Sequence, residues 1–130
     1  MNKKRKYWAY IILLLLFCSF IIINTFITIN KKNELQKKHK YTLAKIIKID
    51  GLADGGGPEA YYIYYIGGKQ YKGWLTLGYN EDVFKLNKRF FTKFNPNNPK
   101  NAVLLITPSV PDSIMEAPIM GWDTLPNGTH

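Results

Sequence analysis

A chain of 130 residues with a formal charge of +9 has room for one small domain and one further element, which excludes multi-domain readings. One Cys, two His and three Ser are too few for a disulfide framework, a zinc knuckle or most hydrolase constellations. The charge is uneven: of 18 Lys and Arg, four lie at positions 3–6 and seven at 31–48, whereas residues 49–130 carry seven basic against eight acidic residues.

Residues 1–6 form a basic flank of Lys3, Lys4, Arg5 and Lys6, and residues 7–29 carry no charge at all. As a helix those 23 residues span roughly 34 Å, against a hydrocarbon core of about 30 Å, so the expectation is one transmembrane helix. Tyr7, Trp8 and Tyr10 would stand at one headgroup layer, and Lys31 and Lys32 mark the other end. A cleaved secretory signal or a lipoprotein at Cys18 is the competing reading. No small-x-small cleavage site follows the apolar run, and Phe17 is bulky where a lipoprotein needs a small residue. The count of flanking basic residues favours a cytoplasmic C-terminal part, whereas the contiguous cluster at 3–6 is the usual start of an exported signal-anchor. The expectation is a single-pass protein of a bacterial inner membrane with its C-terminal domain outside. Residues 30–40 read as a Lys-rich tether, a solvated stalk in which Lys31, Lys32, Lys37, Lys38 and Lys40 are candidate contacts for anionic lipid headgroups.

Residues 41–107 read as a small β domain. A first strand over 41–49 ends at Asp50-Gly51, and residues 54–58 form a Gly-rich connection. Residues 60–66, with four Tyr and two Ile, have a composition that hardly fits a helix. Gly67-Gly68 then separates them from 70–77, a hairpin signal because both glycines tolerate positive φ. After a turn at 78–82, Val83, Phe84 and Leu86 form an apolar patch before a strand over 89–95. Asn95-Pro96-Asn97-Asn98-Pro99 reads as a turn outside any strand, and 102–107 as the last strand. Five short strands joined mostly by tight turns imply a mainly β fold, one antiparallel sheet curled into a small SH3-like or OB-like barrel. Residues 108–130 contain four Pro and scattered apolar side chains and read as an extended tail, packed on the domain or offered to a partner. Ser113 to Glu116 has capping-box spacing, but Pro118 would cut any helix to about one turn.

An even hairpin loop places Tyr62, Tyr64, Tyr71, Gly73 and Leu75 on one face and Tyr61, Ile63, Tyr65, Gln70, Lys72 and Trp74 on the other. The first set has fewer polar members and should face the core, with Gly73 leaving room for the Tyr62 ring. The second set is the candidate binding face: aromatics beside a cation suit sugar rings or a peptide's prolines, although Trp122 and the tail could equally cover it. The near-neutral charge of residues 49–130 disfavours nucleic acid.

No cofactor and no metal is expected. The loop at 54–58 lacks the Lys-Ser/Thr pair and the following helix of a phosphate cradle. Glu81 and Asp82 are adjacent without a third oxygen-rich cluster. His39 and His130 are not placed as bases or ligands, and Asn127-Gly128-Thr129 is too short a match to a glycan acceptor to weigh. An enzyme is not expected.

The runs Thr42-Leu43-Ala44-Lys45-Ile46, Tyr64-Tyr65-Ile66-Gly67-Gly68-Lys69-Gln70-Tyr71 and Phe94-Asn95-Pro96-Asn97-Asn98-Pro99 resemble an uncharacterised family of small β domains tethered to bacterial membranes. Val110-Pro111-Asp112-Ser113-Ile114, with Ala117-Pro118 and Gly121-Trp122, is similar to the ending of short anchored proteins of Bacteroidetes-type bacteria. The resemblance implies a membrane-tethered β domain, no activity and no functional residues. The functional expectation is a non-catalytic envelope-associated binding or accessory protein with a protein or glycan partner. A cytoplasm-facing scaffold and a toxin or immunity component are the alternatives.

Overall fold

The computed structural model describes residues 2–51, 57–78 and 83–126. The chain divides into two units, residues 1–36 and 37–130. Residues 54–56 of the Gly-rich connection, the turn residues 79–82 and the acceptor motif at 127–129 lie outside the described residues.

Helix α1 (Lys3–Lys37) is long and apolar enough to cross a membrane, with a mean hydropathy of 2.6 over 18 residues. It overruns the apolar stretch at both ends. It takes in the basic flank and most of the expected tether, because Lys, Glu, Leu and Gln at 31–37 all favour the helix. Four polar side chains interrupt the apolar stretch, and each bonds to the carbonyl four residues earlier: Ser19 to Leu15, Asn24 to Phe20, Thr25 to Ile21 and Thr28 to Asn24, at 2.8–2.9 Å. Such back-bonding satisfies polar groups without outside partners, as a hydrocarbon surrounding requires.

The second unit is one antiparallel sheet of strands β1 (Lys40–Asp50), β2 (Glu59–Ile66), β3 (Lys69–Thr76), β4 (Arg89–Asn95) and β5 (Asn98–Leu105). Their order is β3-β2-β1-β4-β5. The order is a three-strand meander with β4 and β5 added on the far side of β1. The long β1 serves both halves. A bulge moves its register between Ile46 and Lys48, so that Ile46 faces Tyr62 and Lys48 faces Tyr61. Bulges bend and twist a strand, and here the sheet curls until β5 comes beside β3.

The turn expected at 95–99 is shorter. Pro96 and Asn97 alone form it, Asn95 Oδ1 accepts a bond from the Asn97 amide at 2.9 Å, and Asn98 and Pro99 already belong to β5. An outermost strand tolerates Pro99 because the missing amide can point away from the ladder. The last strand correspondingly ends at Leu105 instead of Thr107.

The core lies inside the curl: Ala44, Ile46, Ala60, Tyr62, Tyr64, Ile66, Phe90 and Phe94 from the strands, joined by Leu77 and Phe84 from the connections. Each fully buried large side chain contributes about 1.5–3 kcal/mol. Tyr62, Tyr64 and Tyr71 stack in series, with ring centroids 6.1 and 5.5 Å apart. The Tyr64 hydroxyl donates to Pro99 O at 2.8 Å, linking β2 to β5 across the curl.

Burial, followed by the neighbouring phenols of Tyr62 and Tyr71, raises the Tyr64 pKa from 10 to about 12. The folded state therefore holds this proton more tightly than the unfolded chain. The stability it contributes is complete below pH 10 and declines as the pH rises from 10 toward 12. Thermal melts of the full chain should show this alkaline decline, and Tyr64→Phe should make it shallower, while costing about 1 kcal/mol at neutral pH for the lost bond to Pro99. An unchanged alkaline slope would contradict the assignment.

Candidate functional site

The two-residue loop Gly67-Gly68, with φ of 61° and 79°, sets the register of β2 on β3. Tyr62 faces Gly73, Tyr64 faces Tyr71 and Ala60 faces Leu75 on the inner side. Trp74 faces Tyr61, Lys72 faces Ile63 and Gln70 faces Tyr65 on the outer side. The candidate face is therefore assembled as the alternation implies. Tyr65 and Trp74 are 52% and 61% exposed, whereas Tyr61 and Ile63 are half-buried.

Strand pairing extends this face beyond the hairpin. Lys48 of β1 stands beside Tyr61, its ammonium 5.5 Å from the ring centre, and Lys48 also pairs with Asp50 at 3.7 Å. Tyr61 donates to Glu59 Oε2 at 2.8 Å. That bond, with some burial and the charges of Glu59 and Asp50, raises its pKa. One row further along, Lys72, Ile63, Lys45 and Arg89 lie side by side across β3, β2, β1 and β4. In the third row Tyr65 donates to Gln70 Oε1 at 3.2 Å. The outer rows, four residues apart along β3, are separated by roughly 13 Å. Residues 49–130 are near neutral in sequence, but folding brings Lys45 and Lys48 onto this surface and makes it cationic.

The tail covers only part of it. The Trp122 amide donates to Tyr41 O at 2.7 Å and its carbonyl accepts from the Tyr41 amide at 2.8 Å, so the tail pairs with β1 just where β2 has turned away. Its ring meets Phe91 edge-on at 6.1 Å, burying a phenylalanine that points out of the barrel. The Gly67 amide donates to Ile119 O at 2.8 Å, Arg89 donates to Ile114 O, and Asp123 pairs with Lys40 at 3.3 Å. Lys40 is thus the first residue of β1 and is engaged with the tail, unlike Lys31, Lys32 and Lys37, which lie on α1. A turn at Asp112 and Ser113 is closed by the Ile114 amide donating to Pro111 O at 3.0 Å, and residues 114–116 form no helix.

Between the tail and the outer face of β1 and β2 runs a groove of about 460 Å³, floored by Leu43, Ile63 and Tyr65 and walled by residues 115–119, with Lys45 and Arg89 on its border. Sequence reasoning missed both the groove and the Lys45–Arg89 adjacency, since each depends on long-range pairing. Among the described residues no three of His, Cys, Asp and Glu form a group able to hold a metal ion. Comparison with protein-family models, curated proteins and solved structures gave no match.

Proposed function

We propose that the chain is a single-pass protein of a bacterial inner membrane whose β head faces outward and acts through contacts, as a non-catalytic binding or accessory module for a protein or glycan partner. The helix supports the anchoring: it is apolar on every side over a bilayer's thickness, and its internal polar groups are satisfied within the helix. The observation that carries the binding role is the outer face of β2 and β3, where Trp74 and Tyr65 stay exposed beside Lys72 although the tail packs close by. Exposed aromatic rings anchor partners at modest entropic cost, and neighbouring cations orient them. The resemblance to membrane-tethered bacterial β domains belongs to the same proposal.

Photo-cross-linking from position 65 in living cells should yield a discrete adduct that is lost on Trp74→Ala while the head keeps its thermal transition. An adduct indifferent to Trp74 would contradict the assignment of this face. Protease treatment of intact spheroplasts should digest the head; protection would replace the outward-facing reading by the cytoplasmic scaffold.

A further inference from the structure

The groove under the tail is a second place where the molecule can hold a ligand, and its chemistry differs from that of the aromatic face. Lys45 and Arg89 are directly opposed across β1 and β4. Like charges in that position destabilise a sheet unless something neutralises them. Among the described residues neither makes a salt bridge. Arg89 donates to a carbonyl, Ile114 O, and the wall's single carboxylate, Glu116, pairs with neither cation. Two cationic side chains from neighbouring strands therefore line the same groove.

The floor of the groove also favours apolar groups. Its floor strands have already used their backbone: β1 pairs with β2 and β4, and β2 with β1 and β3. On the wall, Ile114 O, Pro118 O and Ile119 O accept from Arg89, Gly121 and Gly67, and Pro118 has no amide to give. Along this floor a polar ligand finds no free backbone partner, whereas a hydrocarbon chain needs none. The volume of about 460 Å³ suits a small-molecule site.

The geometry points to a binding site for a single-chain amphiphile with an anionic head: the carboxylate, phosphate or sulfate between Lys45 and Arg89, the chain along Leu43, Ile63 and Tyr65 beneath Met115. The groove shares Ile63 and Tyr65 with the aromatic face, but the inference does not depend on a partner at Trp74 or on the side of the membrane that the head occupies.

The chain contains three Met, so methyl labelling of full-length protein in phosphatidylcholine nanodiscs gives three signals, of which Met115 lines the groove and Met120 rests against Gly67 outside it. Decanoate should shift the Met115 methyl saturably and leave Met120 in place. Decyltrimethylammonium, with the same chain and the opposite charge, should bind roughly tenfold more weakly. Lys45→Gln should weaken decanoate by a similar factor without moving Met120, and Arg89→Lys, which keeps the charge and loses the fork, should weaken it less. Equal binding of both head charges, or full affinity in Lys45→Gln, would overturn the site. So would a short peptide alternating Glu and Leu that shifts Met115 where decanoate does not. An amphiphile that came from the bilayer itself would show as a Met115 shift on adding anionic lipid to the nanodiscs, and one supplied from solution as a shift with decanoate alone.

Discussion

Gly73→Ala should destabilise the β head by about 3 kcal/mol and lower its melting temperature by 10 °C or more, on the order expected for a domain of this size. A methyl group built on Gly73 would lie 2.3 Å from Tyr62 Cζ and 2.4 Å from its hydroxyl oxygen. The ring cannot swing away freely, because Tyr62 is 7% exposed and stacked against Tyr64. Gly73 is not strained, since its φ lies outside the positive range, so the whole penalty is steric. Its sign should therefore reverse once the ring is removed. In a Tyr62→Leu background the same change should be neutral or stabilising by up to about 1 kcal/mol, because alanine loses less backbone entropy than glycine. A double-mutant cycle by thermal melting measures this coupling, and additive effects would show that the ring does not occupy that space.

Gly121→Ala should release the tail. Gly121 has φ of 79°, and a Cβ there would stand 2.5 Å from Tyr41 O and 3.0 Å from the Phe94 ring. The first neighbour is backbone within a strand paired on its other side to β4, so it cannot yield cheaply. The consequence extends along the tail, since the Tyr41–Trp122 pair, the Gly67–Ile119 bond and the Trp122–Phe91 contact all depend on the course of the chain through Gly121. Gly68→Ala is the matching control: it has the same φ of 79° and nothing within 4 Å. That control should cost only the strain of a left-handed residue, about 1–2 kcal/mol. Gly121→Ala should cost roughly 2 kcal/mol more and accelerate amide exchange at Tyr41 and Gly67, which Gly68→Ala should leave protected. Equal effects in the two variants would mean that the tail does not pass where the structure puts it.

The parts of the fold governed by short-range rules were readable before any coordinates. A charge-free stretch longer than a bilayer is thick implies a helix long and apolar enough to span one, and Gly67-Gly68 between two tyrosine-rich runs sets both the hairpin and its alternation. The placement of Tyr62 and Tyr64 inside and of Trp74 and Tyr65 outside follows from that loop together with the polar residues Gln70 and Lys72 on the second face. Features that depend on distant partners were not readable. Nothing near Arg89 reveals that β4 lies beside β1, and so nothing foretells its encounter with Lys45. Pro99 looks like a strand breaker until β5 is known to lie at the end of the strand order. Phe91 breaks the expected alternation because a buried residue on the outer face needs a cover, and that cover, Trp122, comes 31 positions later. The extra residue of the bulge in β1 is equally silent, since Ile47 differs little in composition from Ile46.

Membranes from cells expressing the full-length chain, stripped with alkaline carbonate and then treated with detergent, separate a spanning protein from an adherent one. The helix read here as a transmembrane anchor predicts that the intact chain, its N-terminal flank uncleaved, stays in the carbonate-washed pellet and leaves it only in detergent. Release by carbonate, or recovery of a shortened chain lacking α1, would contradict it.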